Sequence, residues 1–432
     1  MVKIVKEKRL GVRSVALKKP VPMGKIPPSS PLFIKLFFRK LSFLPLFLLF
    51  TIFSILFFSI AYQLIAKTAS FPLDGTDFRA IYTGGVMIIH GVSSDFYSLS
   101  TQFFWQKTIF NLPSEIYLMP FTYPPFAALF ISLLANFPLS TAYIIFATIN
   151  IVLAIIAFYF LIFSTGKKSF TQTIILFLFF ICFYPIWIAL SLGQWSFILL
   201  LSFISASYFF SKNKKFLAGL GLSLLLIRLN LLFLPIFLLI IKRQWKMLSG
   251  LGLGIFILTL ISYVLIGFNG LKTYIELLAS IPFWGDKFTV HPTLEPTLRG
   301  FLQSLLRTNS ILPVLPFFVL GALLTILFVK KSLLGLNISS LLTVTLFTSI
   351  HTNYHDLVLL LLPCIFILMS IKKIPLMIVT ALGMSLLINA SLFRPELSVL
   401  LFIFILSFYA DCTPHILRQF QSYLRKLLDS IY

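Results

Sequence analysis

The chain is poor in acidic residues, in charge of either sign and in cysteine. Its 432 residues include 12 Asp and Glu against 35 Lys and Arg, only 11% are charged, and 59% are hydrophobic. A soluble domain of this composition would precipitate, whereas a mean hydropathy of +1.01 with long apolar runs is typical of membrane-spanning helices. The net charge of +23 does not point to nucleic acid, because the basic residues lie between apolar runs and form no continuous stripe.

The small number of cysteines argues against a disulfide framework. The three residues Cys182, Cys364 and Cys412 lie far apart, and no Cys-x-x-Cys pair occurs. Neither a disulfide-stabilised fold nor a cysteine metal site is therefore predicted. We expect these side chains to act as packing residues.

The apolar runs predict an all-α polytopic membrane protein with about 10–12 transmembrane helices of about 20 residues each. Segment 124–137 is too short to cross comfortably, so a re-entrant or interfacial helix is expected there. Segment 216–241 has basic residues at both ends and Arg228 in its middle, which favours two short helices in a hairpin over one tilted span. The runs of spanning length cover about 41–66, 139–163, 170–190, 193–210, 246–267, 311–329, 333–350, 355–371, 374–391 and 396–410.

The charges fall on two alternating sets of connections between these runs. One set carries Lys and Arg runs, and the other holds nearly all the acids and histidines. By the positive-inside rule the basic set faces the cytoplasm, so the acids and histidines share the outer face. We expect a multi-pass protein of the cell (inner or plasma) membrane with both termini cytoplasmic and the active site on the extracytoplasmic face.

This topology divides the chain into three parts. They are a basic cytoplasmic arm over 1–40, a transmembrane domain over 41–410 and a cytoplasmic tail over 411–432. The transmembrane domain has long outer loops at about 67–138 and 268–310. Because the first loop is rich in aromatic residues, it is expected to fold as interfacial helices on the outer leaflet.

Asp77 is a candidate for chemistry, since it lies just beyond the end of the first span. As a general base it would take a proton from an attacking hydroxyl, and nearby Arg79 would pair with a phosphate. The alternative is that Asp77 caps the helix that begins at Phe78.

Two outer turns offer further polar side chains. The run from His351 to Asp356 reads as a metal cluster, as one wall of a substrate cleft, or as a polar turn in which Asp356 caps the next helix. In the turn Gly193-Gln194-Trp195, the amide suits a sugar hydroxyl and the indole suits a sugar face. Equally, Trp195 suits the aromatic belt at the membrane interface.

Three cations are candidates for binding a phosphate. Arg228 interrupts an apolar segment, and an intramembrane charge is a functional hypothesis by default, with snorkelling as the alternative. Arg299 and Lys287 lie in the second outer loop. Either of these two is equally consistent with a solvated loop charge.

Several segments together resemble the polyprenyl-phosphate-mannose-dependent mannosyltransferases of glycosyltransferase family 87, which have the GT-C membrane architecture. The resemblance covers about 70 to 365 and rests on the order of the motifs. Where relatives often carry Lys-Pro after the Gly-rich helix, this chain has Arg228-Leu-Asn230. The segments are Asp77-Phe-Arg-Ala-Ile-Tyr82, Gly91 with Asp95-Phe-Tyr97, Phe121-Thr-Tyr-Pro-Pro-Phe126, Gly193-Gln194, Gly219 to Arg228 and Tyr354-His355-Asp356-Leu357.

The resemblance implies transfer of a hexose, mannose in the first instance, from a polyprenyl-phosphate donor to a lipid or glycan acceptor, with inversion. It places the catalytic carboxylate at Asp77. From the residues themselves, we expect Arg79, Arg299 and Arg228 to bind the donor phosphate. No cofactor and no nucleic-acid partner is predicted, and dependence on a divalent metal is left open. The residues expected to line the substrate cleft are Asp74, Asp95, Tyr123, Gln194, His291, His355 and Asp356.

Two other functions remain open at this point. One is a transporter or flippase of lipid-linked sugars, although transporters usually place their ionisable sites near the membrane midplane. The other is a GT-C enzyme that uses a different sugar donor. The acceptor and the linkage are also open.

Overall fold

The computed structural model describes residues 77–110, 118–163, 169–284, 288, 291–334, 337–391 and 396–409. The predicted basic arm, the first span and the C-terminal tail lie outside these residues. The described part consists of 17 α-helices joined by short turns and 3₁₀ segments, and it contains no strand. The prediction of an all-α polytopic membrane protein is therefore confirmed.

The helices follow one another with few residues between them. In chain order the α-helices are α1 (Phe78–Ile89), α2 (Leu99–Phe110), α3 (Pro125–Leu134), α4 (Leu139–Phe163), α5 (Phe170–Ile181), α6 (Tyr184–Leu192), α7 (Ser196–Ser211), α8 (Lys215–Leu222), α9 (Phe233–Ile241), α10 (Trp245–Ser280), α11 (Leu298–Leu305), α12 (Leu315–Phe328), α13 (Lys330–Leu334), α14 (Ile338–Phe347), α15 (Leu361–Ser370), α16 (Ile374–Ser391) and α17 (Glu396–Ser407). The 3₁₀ segments are Ser223–Leu231, Ile281–Phe283, Pro292–Leu294, Leu312–Val314 and Tyr354–Leu360.

Fewer described helices are long enough to cross a membrane than the number of predicted spans. Three qualify by length and composition, namely Leu139–Ile162, Trp245–Phe283 and Ile374–Ser391. Two bent helix pairs raise the number to 5 if each pair is one span. Within the described residues, the shorter apolar helices have 10–17 residues.

The described part of segment 67–138, which is predicted to be an outer loop, forms the helices α1, α2 and α3, but α1 is more deeply packed than a surface helix. Its residues from Phe78 to Gly85 are all buried. α3 lies against α1, and the hydroxyl of Tyr82 donates to the carbonyl of Phe137, just beyond α3, at 2.9 Å. α1 therefore belongs to the core of the bundle, and Asp77 lies immediately before its first residue.

The segment 216–241 is sharply bent. The axis turns by 119° between Lys215–Leu231 and Phe233–Ile241. Arg228 departs from helical geometry at φ −127° and ψ 84°. This geometry agrees with two short helices and differs from a single straight tilted span.

A close helix crossing holds the first half of this bent segment in place. A side chain at Gly219 in α8 would collide with the carbonyl oxygen of Met247, and one at Gly250 in α10 with the carbonyl oxygen of Phe216. The backbones of α8 and α10 are therefore in direct contact, as small residues permit between apolar helices. This crossing fixes the position of the chain that leads to Arg228.

Candidate functional site

One polar cavity of about 110 Å³ collects side chains from widely separated parts of the chain. It has apolar walls as well, formed mainly by aromatic residues and by the segment that precedes α3. Its polar lining residues are Asp77, Thr122, Tyr123, Gln194, Arg228, His351, Asn353 and His355. Its apolar lining residues are Ala80, Met119, Pro120, Ile281, Trp284 and Phe288.

Asp77 faces this cavity and does not cap its helix. Its side chain makes no capping hydrogen bond to the backbone of α1. Instead, its Oδ2 accepts a hydrogen bond of 2.5 Å from Nε2 of Gln194, which is 117 residues further along the chain. The capping role considered from the sequence is thus wrong, and the carboxylate is available to the cavity.

A chain of hydrogen bonds orients the Asp77 carboxylate. The Tyr123 hydroxyl donates to Oε1 of Gln194 at 2.7 Å, and Gln194 Nε2 then donates to Asp77. Burial raises the pKa of the Tyr123 phenol, and the nearby Arg228 guanidinium opposes that rise only in part. The phenol stays protonated and a donor, so the amide must present its nitrogen to the carboxylate.

Gln194 therefore positions Asp77. The sequence suggests that it would hold a sugar hydroxyl, but both ends of its amide already have protein partners. Its neighbour Trp195 is buried, and its ring packs edge-on against Tyr123 and Phe146. Trp195 offers no open face for a sugar, whereas Trp284 and Phe288 do line the cavity.

Gly193 makes the turn that carries Gln194 to Asp77. It ends α6 in the left-handed region at φ 67°, and a Cβ there would lie 2.8 Å from the Cβ of Phe78. Phe78 follows Asp77 directly. The tight approach of this turn to the start of α1 therefore brings the amide and the carboxylate together.

We expect Gly193→Ala to lower glycosyl transfer at least tenfold. The substitution places an L residue in a conformation that costs about 1–2 kcal/mol and drives its methyl group into Phe78, so Gln194 moves away from Asp77. The matched control is Gly91→Ala, since Gly91 has φ 68° but open space around its Cβ position. Both variants would be compared for transfer rate and thermal unfolding, and equal loss in the two would contradict this account.

Arg228 supplies a cation to the cavity. Its Nη2 donates to Nε2 of His355 at 2.7 Å and lies 3.5 Å from Oδ1 of Asp356. Its guanidinium carbon lies 5.4 Å from the centre of the Tyr123 ring. Since its non-helical backbone interrupts the bent segment, the side chain leaves the helix at the break and reaches these partners.

Asp356 performs two tasks. Its Oδ2 accepts from the backbone N–H of Asn353 at 3.0 Å, which closes the start of the 3₁₀ segment Tyr354–Leu360. Its other oxygen faces Arg228. Asp356 thus caps the segment, as one alternative from the sequence holds, and also pairs with the cation.

The metal-cluster alternative receives no geometric support. Within the residues that the structure describes, no three His, Cys, Asp or Glu side chains are grouped to hold a metal ion. Arg228 already occupies Nε2 of His355. The polar-wall alternative fits better, because His351 and His355 both line the cavity.

Two buried glutamines on α2 hold the extended wall of the cavity. Gln102 accepts from the N–H of Phe121 at 2.7 Å and donates to its carbonyl at 3.4 Å. One helical turn later, Gln106 accepts from the N–H of Met119 at 3.2 Å and donates to its carbonyl at 2.5 Å. The side-chain amides thus satisfy the backbone of this segment as a neighbouring strand would, and place Tyr123 opposite Gln194.

We expect Gln102→Leu and Gln106→Leu each to destabilise the protein by about 1–3 kcal/mol, because each leaves a buried backbone donor and acceptor without a partner. Transfer should fall as well, since Tyr123 loses its support. Thermal unfolding and donor KM would be measured for both variants. Lys107→Leu, on the exposed face of the same helix, is the control, and an equal effect there would refute the role of the glutamines.

Other predicted site residues are not brought to the cavity. Arg79 is buried within α1, and Asp95 and His291 are exposed elsewhere. Arg299 is 1% exposed, and its guanidinium donates to Gln303 and to two backbone carbonyls. Direct phosphate contact by Arg79 or Arg299 therefore stays a prediction without support from their positions. Asp74 and Lys287 lie outside the described residues.

The structure also shows polar contacts that the sequence analysis missed. Nδ1 of His351 and Oε1 of Glu295 are 2.7 Å apart. Asn230 donates to Ser349 Oγ and to the carbonyl of His351, each at 2.6 Å. The sequence difference from relatives at Arg228-Leu-Asn230 was a signal for the contacts of Asn230. The Asn230 side chain connects the bent segment to the turn that contains His351.

The described part is an all-α membrane protein with a carboxylate and a cation at one polar cavity, an arrangement suited to an enzyme. A sequence model of glycosyltransferase family 87 matches residues 121–349, more than half of the chain. The chain belongs to this family and is a membrane glycosyltransferase. No curated protein and no solved structure matches it.

Proposed function

We propose that this glycosyltransferase moves a hexose, mannose in the first instance, from a polyprenyl-phosphate donor to a hydroxyl of a lipid or glycan acceptor. The reaction takes place on the extracytoplasmic face of the cell membrane and inverts the anomeric configuration. Asp77 is the general base, and Arg228 binds the donor phosphate. Support for the outer face comes from the alternation of basic and acidic connections along the sequence.

The chemistry is a single displacement. Asp77 takes the proton from the acceptor hydroxyl while the oxygen of that hydroxyl forms a bond to the anomeric carbon. The bond between that carbon and the phosphate oxygen breaks, and its electron pair leaves with the polyprenyl phosphate. This reaction requires two groups. A carboxylate accepts the proton, and a cation stabilises the negative charge on the leaving phosphate.

The observation that carries the proposal is that Asp77 and Arg228 line the same cavity although they are far apart in sequence. The Gln194 amide donates a hydrogen bond to Oδ2 of Asp77 and leaves Oδ1 for the hydroxyl of the acceptor substrate. Trp284 and Phe288 add an aromatic wall, with ring centres 4.8 Å apart, of the kind that packs against a sugar face.

The test is a transfer assay with the purified protein in lipid nanodiscs. It receives polyprenyl-phosphate mannose labelled in the sugar, together with a membrane lipid extract. Label in a new lipid or glycan supports the proposal, and donors that carry other hexoses show which sugar is preferred. With the donor intact and no product from any donor, the proposed reaction is refuted. Label that crosses sealed vesicles unchanged would then support the flippase alternative.

A further inference from the structure

Among the residues that the structure describes, the cavity lining carries little positive charge for the reaction proposed above. The described lining residues include one arginine, Arg228, and this cation already faces the buried carboxylate of Asp356 at 3.5 Å. A sugar phosphodiester carries one negative charge. The monoester that leaves carries up to two, since its second ionisation has a pKa of about 6. The site therefore needs another positive group as the phosphate departs.

His355 does not supply that charge in the arrangement observed. Its Nε2 accepts the hydrogen bond from Arg228 Nη2, so this nitrogen carries no proton. Arg228 and His355 are hydrogen-bonded to each other, and both lie close to the carboxylate of Asp356.

His351 is placed differently. It lines the cavity, and its side chain is 23% exposed, whereas its partner Glu295 is 2% exposed. With Nδ1 bonded to Oε1 of Glu295, the other ring nitrogen is left for the cavity. A histidine oriented by a buried carboxylate in this way presents one defined nitrogen to a ligand.

The backbone around His351 is also fixed. Its N–H donates to Ser349 Oγ at 3.3 Å, and its carbonyl accepts from Asn230 at 2.6 Å. Oε2 of Glu295 is buried and has no hydrogen-bond partner in the part of the chain that the structure describes. Among the described residues, the Glu295 carboxylate is hydrogen-bonded through Oε1 to the His351 ring. We infer that it orients the imidazole.

We propose that His351, held by Glu295, is a second phosphate-binding residue that carries a proton on Nε2 and binds the charge gained by the departing phosphate. This inference rests on the proposed function, because it names the group that stabilises the leaving phosphate of that reaction. The proton stays on His351 during the step, while the proton of the acceptor goes to Asp77. Among the described residues, Glu295 pairs with His351, Asp356 lies nearby, and the charged and titratable groups that share the cavity lining with it are Asp77, Tyr123, Arg228 and His355.

The expected consequence is a preference for a dianionic phosphate over a monoanionic one. The probes are a prenyl monophosphate and its methyl diester, titrated separately into the purified full-length protein at about pH 7.5, above the second phosphate pKa of about 6. The wild type should bind the monophosphate at least tenfold more tightly than the diester. His351→Asn should lose this preference while its affinity for the diester changes little. Glu295→Gln should reduce the preference in part.

Two matched controls separate this effect from a general disturbance. Asn at position 351 keeps a donor near the place of Nδ1, so the contact with Glu295 survives. His90→Asn and Glu276→Gln make the same chemical changes at exposed positions outside the cavity lining. Both should keep the wild-type preference.

The outcomes are distinct from those of the transfer assay. Loss of the preference in His351→Asn alone supports the proposal. An unchanged preference in that variant, or no preference in the wild type, overturns the role of His351 and leaves the proposed function standing if transfer is observed. Absence of both transfer and prenyl-phosphate binding in the wild type overturns the two proposals together.

Discussion

Replacement of Asp77 by Asn is expected to lower glycosyl transfer by about 10²- to 10⁴-fold, the range that a positioned general base contributes. Asn has nearly the same shape as Asp but does not accept the proton of the acceptor hydroxyl. Since the Asp77 side chain makes no capping bond to its helix, the substitution removes little that supports the fold. The transfer rate and the thermal unfolding midpoint would be measured on the same preparations.

The control for this variant is a carboxylate outside the cavity. Glu276 is exposed and faces Lys272 at 3.9 Å on the surface of α10, so Glu276→Gln removes one negative charge without touching the lining. Its transfer should match that of the wild type. Transfer by Asp77→Asn within about tenfold of the wild type would exclude Asp77 as the base, because it falls below the range given above.

A second variant separates the base from its support. Gln194→Leu leaves the Asp77 carboxylate in place but removes the donor that orients it. We expect a smaller loss than in Asp77→Asn, because the base is still present. Equal losses would mean that the orientation of the carboxylate is as important as its basicity.

The polar residues beside the apolar runs predict much of the candidate site. Asp77, Gln194, Arg228 and His355 are all candidates from the sequence, and all four line the cavity. The physical reason is that a charge or an amide beside an apolar run is costly unless it has a partner. Such positions are therefore rare and stand out in a sequence of this composition.

The partners of these residues are beyond the reach of sequence reasoning. The contact between Gln194 and Asp77 joins residues 117 apart, and that between Arg228 and His355 joins residues 127 apart. Neither pair leaves a periodic signal. Arg299 departs from another expectation of sequence reasoning. An arginine in a loop is usually solvated, yet this one is buried and donates to backbone carbonyls.

Helix lengths show a similar limit. The run 374–391 is predicted from apolar composition and is a helix with those bounds, whereas 355–371 begins as a 3₁₀ segment. Asp356 explains the difference, because its bonds to Asn353 and Arg228 fix the first turn. Apolar composition predicts the position of this segment in the chain, but the polar contacts of Asp356 determine how its first turn is formed.

Replacement of Arg228 by Gln is expected to lower transfer at least about 100-fold, as loss of one group that stabilises developing negative charge does. Lys at this position keeps the charge but not the fork of donors that meets His355 and a phosphate together, so Arg228→Lys should be intermediate. The donor and product affinities would be measured with the transfer rate. Since Arg228 faces the buried Asp356, the Gln variant is also expected to be destabilised, by about 3–5 kcal/mol.

The double variant Arg228→Gln with Asp356→Asn separates function from stability. Removing both charges leaves no unpaired buried ion, so the thermal unfolding midpoint should recover most of what Arg228→Gln alone loses. Transfer should stay low, because the arginine proposed to bind the donor phosphate is absent. If the double variant regains transfer along with stability, Arg228 acts only in the fold, and the phosphate must be bound by another group. If stability returns without transfer, the cation is required for the reaction itself.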